Sequence, residues 1–218
     1  MSKRLPDAEV FSLLRGAGIP LPAVFWARSP SEAAEAADGM GFPVVLKIVS
    51  ADVEHKSDVG GVVLDVRSRE EAERAYRKIV TSVREAAPEA RLDGVMVMKQ
   101  MDTDREVITG VVQDATFGPV IMFGLGGVAT ELFKEVAFRA LPLSEQDAKD
   151  IMAETRASKM LGAFRGKPPV DFAAVESLLL SVSRLTEAHP EIDQVDLNPV
   201  VVGPKGAVVV DARIVVKE

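Results

Sequence analysis

The chain has 218 residues, of which 47% are hydrophobic and 5% aromatic, and this length fits one large domain or two small lobes around a normal core. A net charge of −7 argues against binding to nucleic acid or to an anionic membrane, and the absence of cysteine excludes disulfides, thiol nucleophiles and cysteine-ligated zinc. Because the N-terminus has no signal-peptide pattern and no apolar run reaches the roughly 18 residues of a membrane span, we expect a soluble, cytoplasmic protein.

The first hundred residues carry signals for three helices and three strands. Asp7 is a candidate N-cap for the first helix, and Ser68 with Glu71 has the spacing of a capping box before the third. The prolines of residues 19–27 favour an extended segment. We predict helices at 7–17, 29–40 and 69–86, and strands at 44–49, 62–66 and 95–100.

The rest of the chain continues the mixture of hairpin-spaced strands and helices. Ser144 and Asp147 predict the cap of a helix of about ten residues, and the Gly- and Pro-punctuated stretch 157–171 is expected to be mobile. A second, strongly amphipathic helix is predicted at 171–188. Strands are predicted at 106–113, 120–123, 137–141, 194–202 and 207–216. This order indicates the α+β class, with two lobes meeting near residues 98–101.

A polar loop between two apolar strands, within residues 41–66, is the first candidate site. Lys47 lies inside the first of these strands, where a buried cation needs an anion. The loop EHKSDVGG, residues 54–61, has the composition of loops that hold phosphate with backbone N–H groups. An edge-strand lysine and an ordinary hairpin connection stay open as alternatives. His55 in this loop could be a base, a phosphoryl acceptor or a solvated side chain.

Three oxygen-bearing side chains near the C-terminus form the second candidate site. Asp196 and Asn198 alternate along one strand and therefore share a face, and Asp211 lies in the next apolar run. Oxygen ligands without His or Cys suit Mg²⁺ or Mn²⁺. Two polar residues on a solvent face, with a turn at Asn198-Pro199, are the alternative.

Other motifs are weaker. Gly124-x-Gly126-x-x-Ala129 follows a strand and satisfies a loose dinucleotide fingerprint, but it lacks a preceding βαβ unit. Glu131 and Lys134 are one helical turn apart and could form a surface ion pair. His189, before a proline at a helix end, is expected at the surface.

Six segments together resemble the ATP-grasp (β) subunit of ADP-forming acetyl-CoA synthetase, in the family of nucleoside-diphosphate-forming acyl-CoA synthetases. They are GFPVVLKIVSADVEHKSDVGGVVL, VMVMKQM followed by Glu106, FGPVIMFGLGGVATEL, FRALPL, VDLNPVVV and VVVDARIV. The resemblance implies an ATP-grasp fold of two α+β lobes gripping a nucleotide. It also implies a helix packed on the C-terminal lobe (1–20), an N-terminal lobe (21–97) and a C-terminal lobe with a metal site (98–218).

The same resemblance assigns residues to nucleotide binding. It implies that Lys47 contacts the α- and β-phosphates, that Gly60 and Gly61 with Ser57 form a flexible phosphate loop, and that Glu106 lies beside the ribose. The hinge whose backbone would meet adenine consists of Val97, Met98, Lys99 and Gln100.

For phosphoryl transfer, the resemblance implies that Asn198 and Asp211 bind Mg²⁺, with Mn²⁺ as a possible substitute. Asp196 corresponds to an acid near the phosphohistidine, although it is one methylene shorter than the glutamate of related chains. His55 matches a second phosphoryl carrier, and Arg139 is a candidate for neutralising phosphate charge.

The family reaction converts acyl-CoA, ADP and phosphate to the acid, CoA and ATP. The resemblance implies an α subunit that carries the CoA-binding and phosphohistidine domains, so we expect this chain to act as an acid–thiol ligase only with that partner. Two alternatives stay open: a nucleotide-binding regulatory module without turnover, and a self-contained ATP-grasp carboxylate ligase.

Overall fold

A computed structural model describes residues 2–53, 55–101, 105–126, 136–155, 157–163 and 166–217. In chain order its elements are β1 (Ser2–Arg4), α1 (Asp7–Gly16), β2 (Val24–Ala27), α2 (Pro30–Met40), β3 (Val44–Val49), β4 (Val62–Val66), α3 (Arg69–Ala86), β5 (Gly94–Lys99), β6 (Glu106–Asp114), β7 (Gly118–Leu125), β8 (Val136–Ala140), α4 (Glu145–Glu154), α5 (Ala157–Leu161), α6 (Phe172–Ala188), β9 (Ile192–Gly203), β10 (Gly206–Val209) and β11 (Ala212–Lys217). Helices and antiparallel sheets together confirm the predicted α+β class. Among the described helices, none is long and apolar enough to cross a membrane.

The chain divides into two compact units. The small unit is Pro22–Asp102, and the large unit combines Met1–Leu21 with Thr103–Glu218. The small unit extends past residue 97, because β5 pairs along its whole length with β3, from Gly94 opposite Val49 to Lys99 opposite Val44.

The small unit is an antiparallel sheet of order β2-β5-β3-β4 with two helices on one face. Ser29 and Ser68 cap α2 and α3 by accepting the N–H three residues on, each at 3.2 Å. The core between sheet and helices is built from small residues of α2 and the apolar stripe of α3. Its members include Ala33, Ala34, Ala37, Leu46, Ile48, Ala72, Ile79, Val83, Val95 and Val97.

The large unit has a seven-stranded antiparallel sheet of order β1-β11-β9-β6-β7-β8, with β10 also paired to β9. Helix α6 lays its predicted apolar stripe on this sheet, and α1, α4 and α5 complete the same core. The capping box of Ser144 and Asp147 at the start of α4 is complete, as predicted. Buried residues of the sheet in this core include Val107, Val111, Ile121, Phe123, Val195, Leu197, Val200, Ala212 and Ile214.

Two local predictions were wrong. Asp7 does not cap α1: Pro6 holds the cap position, and the buried Asp7 carboxylate accepts from Arg4 Nη2 at 3.2 Å. Glu71 accepts from the N–H of Arg67 at 2.7 Å, one residue before the cap, so the box at α3 is only half formed. Residues 157–161, inside the stretch expected to be mobile, form α5, whose first and last residues are buried in the core; the mobility of the stretch stays a prediction.

Candidate functional site

Lys47 lies on the face of the small sheet that α2 and α3 do not cover. Its neighbours in sequence, Leu46 and Ile48, point into the core with the helices, so alternation turns Lys47 to the other side. There it lies opposite Met96 of β5 and Val62 of β4. Only 7% of Lys47 is exposed. The structure thus places the predicted phosphate-binding cation at a position with little exposure to water, where electrostatic interactions are stronger than at the surface.

The predicted phosphate loop is closed by hydrogen bonds within the small unit. The N–H of Gly60 donates to Ser57 O at 3.1 Å, and the N–H of Gly61 donates to Lys56 O at 2.7 Å. Gly61 O in turn accepts from the N–H of Ile48 at 2.7 Å, which fixes the loop to β3 beside Lys47. The amides of both glycines are therefore engaged inside the loop, so in this conformation they do not provide a phosphate cradle.

The loop presents two of its predicted functional side chains outward. His55 and Ser57 are exposed, whereas Lys56 between them is 7% exposed. Lys56 was not predicted as a site residue. The only sequence signal for its burial is strand-like alternation, which would turn Lys56 away from the side of His55 and Ser57. His55 therefore lies at the surface of the loop.

The predicted hinge lies at the C-terminal end of β5, one of the two inner strands of the small sheet. Val97 and Met98 are buried, and the N–H groups of Lys99 and Gln100 donate to Ala23 O at 3.1 Å and to Pro43 O at 3.2 Å. These two backbone amides are therefore already engaged in hydrogen bonds within the small unit. The Lys99 ammonium donates to the carbonyls of residues 41 and 42 at 2.9 and 3.0 Å, which gives this side chain a structural role.

The second candidate site lies on a hairpin of the large unit. Leu197 is opposite Ala212 and Val200 is opposite Val209, so the register continues without a shift between β10 and β11. Asp211 itself was expected inside a strand but lies in the short break between them. Its carbonyl accepts from the N–H of Asn198 at 3.2 Å. Asn198 and Asp211 are thus direct cross-strand neighbours.

Four polar side chains share one face of this hairpin. Asp196 and Asn198 alternate with Val195 and Leu197, which are buried in the core, and the register places Arg213 directly opposite Asp196. Residues opposite one another in antiparallel strands have Cβ atoms about 4.5–5.5 Å apart. The prediction that Asp196, Asn198 and Asp211 come together is consistent with this register. Arg213 was not predicted as part of this face, although it lies two residues after Asp211 and strand alternation places residues two apart on the same face.

The environment of Asp196 disfavours the ionised form of its carboxyl group. Burial raises the pKa of the Asp196 carboxyl, the neighbouring Asp211 carboxylate raises it further, and the Arg213 guanidinium lowers it. Asp196 Oδ1 is buried and has no hydrogen-bond partner in the described part of the chain. A buried oxygen of this kind is a site where a cation or a donor is energetically favoured.

Glu106 and Arg139 lie on opposite faces of the large sheet. Glu106 is followed by core residue Val107, so it points to the face that carries Asp196. Arg139 lies opposite the buried Ile121 and forms an ion pair with Glu154 of α4, with Nη1 3.0 Å from Oε2. The structure therefore brings Glu106 to the side of the carboxylates and does not bring Arg139 there.

The donor set fits a hard divalent cation. One carboxylate and one amide oxygen, with a second carboxylate beside them, match the one or two protein oxygens through which Mg²⁺ is usually held. No group of three or more His, Cys, Asp or Glu residues that could hold a metal occurs among the described residues.

Of the weaker motifs, the residues Ala129, Glu131 and Lys134 lie outside the described residues. The amide of Gly126 donates to Glu106 O at 2.9 Å, and a Cβ there would lie 2.6 Å from the backbone of Val107. This close approach to β6 explains the glycine without a ligand.

Comparison with known proteins gives one consistent family. A family model described as an ATP-grasp domain matches residues 1–216. The chain is 44% identical, over 99% of its length, to ADP-forming acetate–CoA ligase I of Archaeoglobus fulgidus, of which it spans 31%. It is 38% identical, over 98% of its length, to the β subunit of ADP-forming acetate–CoA ligase I of Pyrococcus furiosus, of which it spans 92%.

Solved structures agree with this result. The acetyl-coenzyme A synthetase 1 of Ca. Korarchaeum cryptofilum, in complex with coenzyme A, Ca-AMPCP and HgCl+, is 46% identical with a TM-score of 0.95, over 99% of this chain and 94% of that one. A second structure of that enzyme, with coenzyme A and Mg-AMPPCP and its phosphohistidine segment pointing towards the nucleotide site, is 43% identical with a TM-score of 0.86, over 99% of this chain and 93% of that one.

Proposed function

Because this chain belongs to the ATP-grasp family, among the β subunits of ADP-forming acetate–CoA ligases, we propose that it is the nucleotide-binding part of such a ligase. It binds ADP or ATP with Mg²⁺ and passes a phosphoryl group between a phosphohistidine and the nucleotide. The enzyme class is acid–thiol ligase. We place the protein in the cytoplasm as part of this proposal, since ADP and CoA are intracellular substrates.

The observation that carries the proposal is the cross-strand pair of Asn198 and Asp211. Their side chains are fixed opposite each other by a continuous register, on the same face as Asp196. A bound Mg²⁺ would neutralise phosphate charge and orient the transferred group. Mn²⁺ accepts the same oxygen ligands and is expected to substitute.

The chain's own residues supply positioning and charge. Lys47 binds the α- and β-phosphates, Glu106 holds the ribose, and the loop with Ser57 and His55 covers the phosphates. In the transfer to ADP, the bond from phosphorus to the imidazole nitrogen breaks and a bond to a terminal oxygen of ADP forms. The imidazole keeps the electron pair of the broken bond. Because this step needs alignment and charge neutralisation more than covalent help, cations on fixed strands suit it.

A partner completes the reaction in this proposal. The chain spans about a third of the Archaeoglobus ligase and more than nine tenths of the Pyrococcus β subunit. Solved relatives hold coenzyme A and a phosphohistidine segment. We therefore propose an α subunit or domain that provides both, with exposed His55 accepting the phosphoryl group before ADP does. A His55→Ala variant that kept full ATP formation with the partner would exclude this relay.

The test is nucleotide binding by the purified chain. Mg·ADP at a hundredfold over Kd is expected to stabilise the protein by about 2.7 kcal/mol, which a melting curve detects. Asp211→Asn and Lys47→Met should each abolish most of the shift. Asp193→Asn is the matched control for Asp211→Asn, since Asp193 lies near the start of β9, the strand that pairs with β11, and accepts from Ser2 Oγ at 3.0 Å.

Two results would count against the proposal. A shift that survives both Asp211→Asn and Lys47→Met would place the nucleotide elsewhere. Binding without phosphoryl transfer, when the α partner is added, would favour a regulatory module without turnover.

A further inference from the structure

Part of the large sheet is apolar on both of its faces. Its core residues pack against the helices, so strand alternation turns the residues between them to the opposite face. Five such residues of β6, β7 and β8 lie directly opposite one another in two adjoining rows, Val112–Val120–Ala140 and Met122–Phe138. None of the five is buried, and Val112 and Phe138 are 37% and 50% exposed. We call these five residues the outer patch.

The outer patch departs from the usual pattern of an antiparallel sheet, in which the face away from the core is polar. In β8 the pattern is reversed. Arg139 turns to the helix side, where it pairs with Glu154 of α4, whereas Phe138 and Ala140 on either side of it turn outward. An apolar surface of this kind, in contact with water, is typical of a protein interaction site.

The hairpin of β6 and β7 ends in an exposed aromatic ring. Phe117 lies in the three-residue loop 115–117 between the two strands and is 71% exposed. The Asp114 carboxylate accepts from the N–H groups of Thr116 and Phe117 at 2.8 and 2.9 Å, which fixes the backbone of the loop. A side chain on a fixed backbone leaves less to be ordered on binding, and aromatic residues are enriched in protein interfaces. Phe117 therefore has the properties of an interface anchor.

The outer patch lies on the same face of the sheet as the candidate carboxylates. Phe138 is opposite Met122, Met122 is opposite Gly110, and Gly110 is opposite Asp196. Neighbouring strands are about 4.8 Å apart, so the backbones of Phe138 and Asp196 are separated by about 14 Å along this row. A protein that covered the outer patch would thus lie beside the carboxylates.

We propose that the outer patch and Phe117 form the docking surface for the partner subunit or domain that brings the phosphohistidine. This inference rests on the proposed function, in which that partner delivers a phosphoryl group to this face of the sheet. In one relative the extra protein is present in the same chain: the matched region is 31% of the Archaeoglobus ligase, so about two thirds of that ligase lies outside it. A phosphoryl donor must lie beside the carboxylates, whereas a second copy of this chain has no such requirement. Because the five side chains of the outer patch are uncharged, the partner surface that fits them is apolar.

The experiment measures the affinity of the full chain for its separately purified α partner by calorimetry. Phe117→Ser and Phe138→Ser should each weaken the complex by at least about tenfold, the loss typical of an anchor residue in an interface. Phe172→Ser is the matched control, because Phe172 is also exposed, at 40%, but is the first residue of α6. This control should bind the partner within about twofold of the wild type, as expected for a residue outside the interface.

Measurements on the chain alone separate docking from other causes. All three variants should melt like the wild type, since each removes an exposed ring, and Mg·ADP should stabilise them as much as it stabilises the wild type. If Phe138→Ser does not fold, Phe117→Ser in the loop provides the test. Sedimentation of the wild-type chain alone should show a monomer. A dimer that either variant dissociates would assign the surface to a second copy and overturn the inference.

The results with the partner distinguish this inference from the proposed function. Wild-type affinity in both Phe117→Ser and Phe138→Ser would overturn the inference, as would an equal loss in Phe172→Ser, and the proposed function would stand if Mg·ADP still bound and ATP still formed. Failure of the wild-type chain to form any complex with the α partner would instead remove the partner from the proposed function, and this inference with it.

Discussion

Gly61 fixes the polar loop of the small unit to β3, and its replacement by alanine is the sharpest test of that loop's structure. A Cβ at this position would lie 2.6 Å from Ile48 Cγ2 and 2.7 Å from the carbonyl oxygen of Lys56. Both atoms are part of packed structure: Ile48 is fully buried, and the Lys56 carbonyl already accepts the Gly61 N–H. Neither can move away without loss of a hydrogen bond or of core packing.

Overpacking of this kind costs about 1–3 kcal/mol in the free energy of unfolding. For a chain of this length each kcal/mol corresponds to about 2–4 °C in melting temperature, so we expect Gly61→Ala to melt about 2–12 °C below the wild type. The assay is thermal unfolding followed by circular dichroism, with urea unfolding as a second measure.

The matched control is Gly39→Ala in α2. No atom lies within 4 Å of a Cβ at Gly39, and alanine in a helix stabilises it by about 0.5–1 kcal/mol relative to glycine. Gly39→Ala should therefore melt at or above the wild-type temperature. A Gly61→Ala chain as stable as the wild type would show that the loop is not fixed to β3 in solution. The N–H groups of Gly60 and Gly61 would then not be held in hydrogen bonds within the loop.

Two further predictions concern stability. Hydrogen bonds from Ser144 hold the pKa of the Asp147 carboxyl below its usual value of 3.8, so this carboxylate stabilises the fold above pH 3.8 and loses its effect as the pH falls through the folded-state pKa. Asp147→Asn should thus melt below the wild type at pH 7, and a difference that does not shrink as the pH is lowered below 3.8 would contradict this. Lys99→Met leaves two partly buried carbonyls without their donor and should cost about 1–3 kcal/mol in urea unfolding. The exposed Lys78→Met is its control, and equal losses in the two variants would contradict the structural role of Lys99.

The sequence predicted those features that depend on local periodicity. Alternation alone placed Asp196 and Asn198 on one face, and apolar spacing predicted the stripe of α6. The same rule, applied one strand further, would have placed Arg213 beside Asp211. It was missed because an arginine in an apolar strand draws less attention than an acid does.

What could not be read from sequence depends on contacts between distant segments. The polar loop was predicted to offer its glycine amides to phosphate. In the structure the Gly61 N–H donates to Lys56 O, and Gly61 O accepts from Ile48 of β3. The bond to β3 joins two segments of the folded chain and has no signal in the local sequence. Arg139 was grouped with the phosphate-binding residues because of its charge. The face it occupies follows from the pairing of β7 with β8, which turns it towards Glu154. Asp7 was expected to cap α1, but Arg4, held in β1 by pairing with β11, binds it instead.

Over residues 194–203, β9 keeps one register with β10 and β11, and this register ties the candidate ligands to the fold of the large unit. If the hairpin slipped by one residue along either strand, polar and apolar side chains would exchange faces at once. Asp196 and Asn198 would then enter the core, and Val195 and Leu197 would leave it. A partly slipped site therefore cannot persist as a weakened enzyme. Slippage of the hairpin would therefore remove the arrangement of ligands and the fold of the large unit together, whereas a substitution such as Asp211→Asn removes one ligand and leaves the register unchanged.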